Sequence, residues 1–323
     1  MSKNIWVFCE QRDGQLQNVA LELLGIAREL AAKTNEKVGA VLLGHNVTDR
    51  ANELIAHGAD EVYLVDDKAL EYFTTEPYAQ AVYALVKEFD PNVLLFGATS
   101  IGRDLAPRLS ARLHTGLTAD CTKLEYDEEG SLFMTRPAFG GNLFATIVCP
   151  NHRPQMSTVR PGVMPKPEAD ANREGTVITR QIAWDTSKFA VTVVEEVKEV
   201  KSVENIADAK LLVSCGRGVK DVAPAFTLAK NLGGTVSSSR ALVDAGVMEH
   251  ARQVGQTGTT VRPQAYLAFG ISGAIQHLAG MEESEYIVAI NTDKGAPIFK
   301  VANLGIIADA AAVMKCLNKH FEA

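Results

Sequence analysis

No stretch of about 18 consecutive apolar residues occurs in this chain, so no membrane-spanning helix is expected and no membrane insertion. There is no CxxC pair and no Cys/His cluster. The cysteines, Cys9, Cys121, Cys149, Cys215 and Cys316, are five in number and lie far apart, which argues against a disulfide framework or a structural metal. A reducing, cytoplasmic setting is expected. The opening segment "MSKNIWVFCEQRDGQ" shows neither an apolar run nor a cleavage pattern, so it does not read as a signal peptide. A basic excess is missing too: 32 Lys and Arg stand against 39 Asp and Glu, for a net charge of −7. That excludes a dedicated nucleic-acid binder and gives no support for an anionic membrane partner. Walker A, HExxH and nucleophile-elbow strings are absent, as is an obvious acid–base carboxylate pair. Chemistry carried by the protein's own side chains is therefore poorly supported.

What is present is an ordinary globular composition. Of 323 residues, 46% are hydrophobic and 22% charged, enough to bury a core, and the length suggests two domains of about 100–200 residues each. Short apolar runs at residues 5–9, 38–44, 60–67 and 92–99 alternate with helical patterns. In the first of these helices Leu16, Val19, Leu23, Ile26 and Leu30 share one face. The runs are continuous rather than alternating, as in strands covered on both faces. The pattern predicts a parallel, doubly wound α/β domain over residues 1–200.

Residues 132–149 read as late β-strands of that domain. The proline-punctuated stretch "RPQMSTVRPGVMPKPEADANREG" reads as an exposed segment, and residues 188–200 as a further strand-like passage. The charged stretch at 197–203 is a candidate hinge. A second doubly wound sheet is expected over 201–323, with strands in "KLLVSCGRG", "TVSSSR", "QAYLAFGIS" and "YIVAIN".

In such sheets ligands bind beyond the carboxyl ends of the strands, and the unusual polar residues collect there. The groups are Gly216-Arg217-Gly218, Ser239-Arg240, Ser272-Gly273 and Asn291-Thr292-Asp293, with a glycine- and threonine-rich loop at 253–263. Glycines admit close approach of the main chain to a ligand, and a helix start binds phosphate. Two arginines with several hydroxyls suggest an anionic, multi-hydroxyl ligand, most simply a nucleotide. Each piece also has a plain structural reading. Gly216 and Gly218 could mark only a tight βα corner, since Asp221 stands where GxGxxG needs its third glycine. Arg240 could be a surface ion-pair residue, His277 a structural hydrogen-bonder, and Asp309 an N-cap.

The string "VGQTGTTVRPQAYLAFGISGAIQHLAGM…YIVAINTDKGAPIFKVANLGIIAD" is similar to the signature region of electron transfer flavoprotein alpha subunits. "GRG", "SSSRALVDAG", "CEQRDGQL…LELLGIAREL" and "GATSIGRDLAPRLSARLHTGLTADCT" resemble the same family, so the likeness covers essentially the whole chain. The resemblance implies a Rossmann-like FAD-binding C-terminal domain. Residues matched to the family's FAD site are Arg217, Ser239, Arg240, Val254, Gly255, Gln256 and Thr257. Ser272, Gly273, Ala274, Ile275, Gln276 and His277, then Asn291, Asp309 and Ala310, complete the match. In the family, the residues equivalent to Arg240, Thr257, Ser272 and His277 lie beside the isoalloxazine ring.

The resemblance further implies a heterodimer with a beta subunit. Such a carrier, rather than a stand-alone enzyme, takes electrons from a flavoprotein dehydrogenase such as acyl-CoA dehydrogenase to an acceptor. The N-terminal domain is then structural and serves docking. In one group within the family, NADH electrons are split between ferredoxin and an acyl-CoA dehydrogenase, using a second FAD in the partner. The "TTVRP" run with Arg262 resembles that bifurcating group, although an ordinary surface arginine reads equally well. Two other readings stay open: a nucleotide-binding α/β module using the N-terminal sheet, and an NAD-dependent oxidoreductase using the C-terminal one. A missing phosphate loop near Cys9 to Gly14 weakens the first, and the broken GxGxxG weakens the second.

Overall fold

The computed structural model describes residues 3–127, 130–138, 143–197 and 205–321. The chain divides into two compact units, Met1–Val197 and Lys198–Ala323. The candidate hinge at 197–203 falls, past Val197, outside the described residues.

The first unit opens with β1 (Ile5–Phe8), a short ribbon of β2 (Gln11–Arg12) and β3 (Gln15–Leu16), and α1 (Asn18–Thr34). Then come β4 (Val38–Gly44), α2 (Ala51–Ala56), β5 (Glu61–Asp66), α3 (Thr75–Phe89), β6 (Val93–Gly97) and α4 (Ser100–Leu113). The remaining strands are β7 (Leu117–Cys121), β8 (Lys123–Tyr126), β9 (Leu132–Ala138), β10 (Leu143–Ile147), β11 (Gln155–Val159) and β12 (Thr176–Thr179).

Seven of these strands form one parallel sheet in the order β12-β5-β4-β1-β6-β11-β7. Alternation along β1 sorts the two cores. Ile5 and Val7 pack with α1 and α2, while Trp6 and Phe8 pack with α3 and α4. The helices thus change faces at β1, and the switch point of this sheet lies between the ends of β1 and β6.

β9 and β10 are the late strands expected in the first unit, and β9 sits between β8 and β10 in a separate antiparallel sheet. Two sequence expectations are corrected here. Within the stretch expected to be exposed, β11 is wholly buried and lies in the sheet between β6 and β7. Its polar side chains hid it, but each finds a partner inside. The Gln155 side-chain oxygen accepts from the Leu132 amide at 3.2 Å, and Thr158 Oγ1 accepts from the Asp120 amide at 2.9 Å. Finally, residues 189–197 form no strand, and Val191, Val194 and Val197 are exposed. β-Branched residues favour a strand only where a neighbouring strand supplies pairing and packing; residues 198–200 lie outside the described residues.

The second unit contains β13 (Leu211–Cys215), α5 (Ala223–Leu232), β14 (Thr235–Ser238), α6 (Arg240–Asp244) and β15 (Ala265–Phe269). It continues through α7 (Ile275–Leu278), β16 (Tyr286–Asn291), β17 (Leu304–Ile307) and α8 (Ala310–Phe321). All five strands run parallel in the order β14-β13-β15-β16-β17. Helices α5 and α8 cover one face through Val213, Cys215 and Phe269. Long irregular segments cover the other, where Tyr266 packs with Val254, Val261, Ile271 and Met281. In chain order this is a 2-1-3-4-5 sheet, so its switch point lies between the ends of β13 and β15. Among the described residues no helix is long and apolar enough to cross a membrane.

Candidate functional site

Beyond the ends of β13 and β15 the main chains almost touch. The Gly216 amide donates to the Phe269 carbonyl at 2.8 Å, and the Gly218 amide to the Gly270 carbonyl at 3.2 Å. A Cβ on Gly216 would lie 2.3 Å from that same Gly270 oxygen, a distance no side chain tolerates. This is why the sequence has glycines there: they close the corner and keep it free of side chains.

A cavity of about 590 Å³ opens at this corner, within the range of cofactor clefts. Its first wall is Arg217 and Gly218 after β13, with Ser239, Arg240 and Ala241 after β14. The loop after residue 252 supplies Gln253, Val254, Gly255, Gln256 and Thr257. The turn after β15 contributes Gly270, Ile271, Ser272, Gly273 and Ala274, then Gln276 and His277 of α7. Asn291, Asp293 and Ala296 close the far side after β16.

The loop is held in place by named bonds. The Val254 amide donates to the Ser238 carbonyl at 2.9 Å, and the Gln256 amide to the Gln276 carbonyl at 2.7 Å. Gly255 has φ +138°, and a Cβ there would lie 2.8 Å from the Gln276 oxygen, so only glycine lets the loop lie this close to α7. Gln253 donates its side-chain amide to Thr257 Oγ1 at 3.0 Å. Asn291 donates to the Ile271 carbonyl at 2.8 Å and accepts from the Asp293 amide at 2.9 Å, tying the ends of β15 and β16 together.

Charge at the site is unevenly compensated. Arg240 forms an exposed helical ion pair with Asp244 at 3.2 Å. Arg217 is exposed and has no acidic partner among the described residues. His277 is the opposite case. It is 7% exposed, its Nε2 lies 3.0 Å from the Tyr266 hydroxyl, and its Nδ1 is buried with no hydrogen-bond partner among the described residues. Burial pushes its pKa down to about 4, against a smaller opposing pull from the Val254 main chain, so the ring is neutral near pH 7.

Thirteen residues singled out in the sequence thus meet in one cavity: Arg217, Ser239, Arg240, the run from Val254 to Thr257, the run from Ser272 to Ala274, Gln276, His277 and Asn291. Three do not reach it. Ile275 is 64% exposed, while Asp309 and Ala310 stand at the start of α8, where the Asp309 carboxylate caps the helix by accepting from the Ala312 amide at 2.8 Å. Arg262 is also exposed and outside the cavity lining. The sequence reading passed over Ala241, Gly270, Ile271 and Ala296, and took Gly218, Gln253 and Asp293 only as parts of the strand-end groups and of the 253–263 loop. The signal for Gly270 was legible, since it directly follows β15.

A parallel sheet with a glycine corner at its switch point and, among the described residues, an arginine without an acidic partner beside it is the architecture of a doubly wound protein of the nucleotide-cofactor-binding class. The comparisons with known proteins specify the class. The Electron transfer flavoprotein domain family matches residues 5–183, and the Electron transfer flavoprotein FAD-binding domain family matches residues 205–282. The chain is 54% identical to the electron transfer flavoprotein subunit alpha of Thermoanaerobacterium thermosaccharolyticum, over 98% of this chain and 96% of that one. It is 52% identical to the subunit of the same name from Clostridium acetobutylicum, over 97% and 95%. A subunit of lactate dehydrogenase (NAD(+),ferredoxin) from Acetobacterium woodii is 42% identical over 97% of this chain and 75% of its own length. The chain belongs to the electron transfer flavoprotein alpha family.

Proposed function

We propose that the chain holds FAD in the cavity between the ends of β13 and β15 and works as a heterodimer with a beta subunit, passing electrons from a flavoprotein dehydrogenase to an acceptor. One observation carries this reading: a cavity at the switch point, with a glycine corner, an exposed arginine and several hydroxyls in its walls, lies mostly within the segment that matches the FAD-binding domain family. A wall of main chain, hydroxyls and a fixed positive charge suits an anionic, multi-hydroxyl ligand, so the residues present fit the cofactor.

When bound, the flavin supplies the redox chemistry, accepting and releasing one or two electrons. The chain's own groups bind and orient. Arg217 provides a fixed positive charge with a forked donor set suited to a diphosphate. Gln253 positions the Thr257 hydroxyl, so its proton is aimed rather than free to rotate into solvent. Asn291 keeps the two strand ends at fixed separation. His277 stays neutral near pH 7, so it stabilises by hydrogen bonding rather than by charge. No acid–base pair is needed, because the work asked of the protein is orientation and electrostatics.

A second reading concerns NADH. The relative from Acetobacterium woodii has NAD(+) and ferredoxin in its name, and "TTVRP" with Arg262 fits a bifurcating member. In that reading the heterodimer takes electrons from NADH, using a second FAD held by the partner, and passes them to ferredoxin and an acyl-CoA dehydrogenase. Flavin content of the chain co-expressed with its beta subunit, followed by anaerobic NADH titration, decides. One FAD without reduction by NADH is expected of a simple carrier, and two FAD with rapid reduction of a bifurcating protein. A flavin-free heterodimer would overturn both. Arg262→Ala should leave FAD binding unchanged in either case, whereas a large shift in flavin potential would give Arg262 a part in the second.

A further inference from the structure

Among the described residues, the cavity wall contains one carboxylate, Asp293, against two arginines, Arg217 and Arg240. They stand on opposite sides of the glycine corner. The arginines follow β13 and β14, whereas Asp293 follows β16, two strands further along the sheet from β13. Asp309, matched by sequence to the FAD site, caps α8 outside the lining, so it does not supply this charge.

Asp293 is held by its own turn. Its amide donates to Asn291 Oδ1 at 2.9 Å, its carbonyl accepts from the Ala296 amide at 3.1 Å, and its Oδ1 accepts from the Gly295 amide at 2.9 Å. The turn is fastened in its turn to the segment after β15. Asn291 donates to the Ile271 carbonyl at 2.8 Å, and the Ile298 amide donates to the Ser272 carbonyl at 3.0 Å. Gly273 lets the two segments close: its φ is +87°, and a Cβ there would lie 2.3 Å from the Ile298 nitrogen. Asp293 Oδ2 is left without a hydrogen bond among the described residues, and the residue is exposed where it lines the cavity.

An ionised carboxyl group only accepts hydrogen bonds, and it repels phosphate. In a cavity that otherwise attracts anions it calls for a neutral donor, and the hydroxyls of a nucleotide sugar are such donors. The side of the cavity decides which sugar. Val254 and Ile271, both buried and apolar, suit a broad ring system, which leaves the β16 side to the adenosine. We propose that Asp293 is a specificity-determining residue: its free carboxylate oxygen accepts from a ribose hydroxyl of the adenosine half of the cofactor. The cavity thereby distinguishes a hydroxylated sugar from a deoxy or phosphorylated one. This rests on the cavity being the FAD site.

The test compares FAD with the two deoxy forms that each lack one ribose hydroxyl, by fluorescence titration of the flavin-stripped heterodimer. The wild type is expected to bind one deoxy form roughly tenfold more weakly than FAD, the worth of a hydrogen bond to a charged acceptor. In Asp293→Ala that ratio should fall to about one, with no acceptor left. Asp293→Asn, whose side-chain oxygen can still hold the Gly295 amide, should give a ratio in between. Loss of the turn or of the negative charge acts on all three ligands alike and cancels in the ratio. A merely structural Asp293 would therefore weaken all three equally and leave the preference in place. Equal affinity of the wild type for the three, or an Asp293→Ala protein that keeps the preference, would overturn the proposal while FAD binding stands. A heterodimer that takes up none of the three would overturn the reading of the cavity, and the proposal with it.

Discussion

Gly216 and Gly270 meet main chain to main chain at the end of β13 and β15, and a Cβ on Gly216 would stand 2.3 Å from the Gly270 carbonyl oxygen. The neighbour is backbone held in a strand ladder, so it has little room to yield. Gly216→Ala should therefore cost about 1–3 kcal/mol of stability, in the manner of an overpacked core site. It should also deplete flavin from the purified heterodimer, because the displaced turn is the floor of the cavity. Urea midpoints and flavin-to-protein ratios check both. A variant as stable and as yellow as the parent would show that the corner has slack.

Arg217 offers a different test, since its removal disturbs no internal bond among the described residues. Charge-assisted hydrogen bonds contribute about 1.5–3 kcal/mol. Arg217→Ala should thus weaken FAD roughly ten- to hundredfold with an unchanged unfolding midpoint. The loss should shrink in high salt, where the parent also binds less well. Fluorescence titration of the flavin-stripped heterodimer at two ionic strengths measures it; equal affinity at both would remove Arg217 from the site.

Much of this architecture could be read from residues alone, and the failures share a cause. Continuous apolar runs such as 38–44 and 93–97 announce strands buried on both faces, and the glycines and arginines after β13, β14 and β15 announce the site. β11 escaped because "QMSTV" looks polar until Leu132 and Asp120 are brought beside it. Residues 189–197 misled in the opposite sense, since valines read as a strand even where no strand pairs with them. The Asp309 carboxylate had two readings in the sequence, helix cap and cofactor contact; it caps α8 and stands outside the cavity lining. The hydrogen bonds of Tyr266 were invisible in sequence, because contact between residues 214, 266 and 277 depends on tertiary packing.

His277 should leave a mark on the pH dependence of stability. Its folded pKa of about 4 lies below the ordinary value of 6.5. The unfolded chain therefore takes up a proton that the folded chain refuses. The contribution is complete above about 6.5 and is lost as pH falls towards 4. Two to three pH units at about 1.4 kcal/mol each bound it at roughly 3 kcal/mol. The difference in unfolding free energy between wild type and His277→Gln, followed from pH 7.5 to 4, should fall across that window. A difference constant with pH would mean that the ring is solvated or protonated in the folded state.

At the switch point of the first unit, a carboxylate fills the place where a doubly wound sheet would otherwise receive a ligand. Glu10, 2% exposed, follows β1; its Oε2 accepts from Thr99 Oγ1 at 2.5 Å and its Oε1 from Arg12 at 2.9 Å. Thr99 Oγ1 in turn accepts from the Gly102 amide at 3.0 Å, capping α4. The two switch points thus differ: among the described residues, an arginine without an acidic partner stands at one and a buried carboxyl group held by Arg12 and Thr99 at the other. Arg12 is half exposed, so solvent takes over part of its task when it is removed, and Arg12→Ala should cost only about 1 kcal/mol. Thr99→Val strands one carboxylate oxygen and uncaps α4 together, and should cost about 2–3 kcal/mol. Glu10→Gln keeps the shape without the charge and should fall between the two. Chemical unfolding of the three variants ranks them, and a Thr99 variant milder than the Arg12 variant would show that water already reaches the carboxylate.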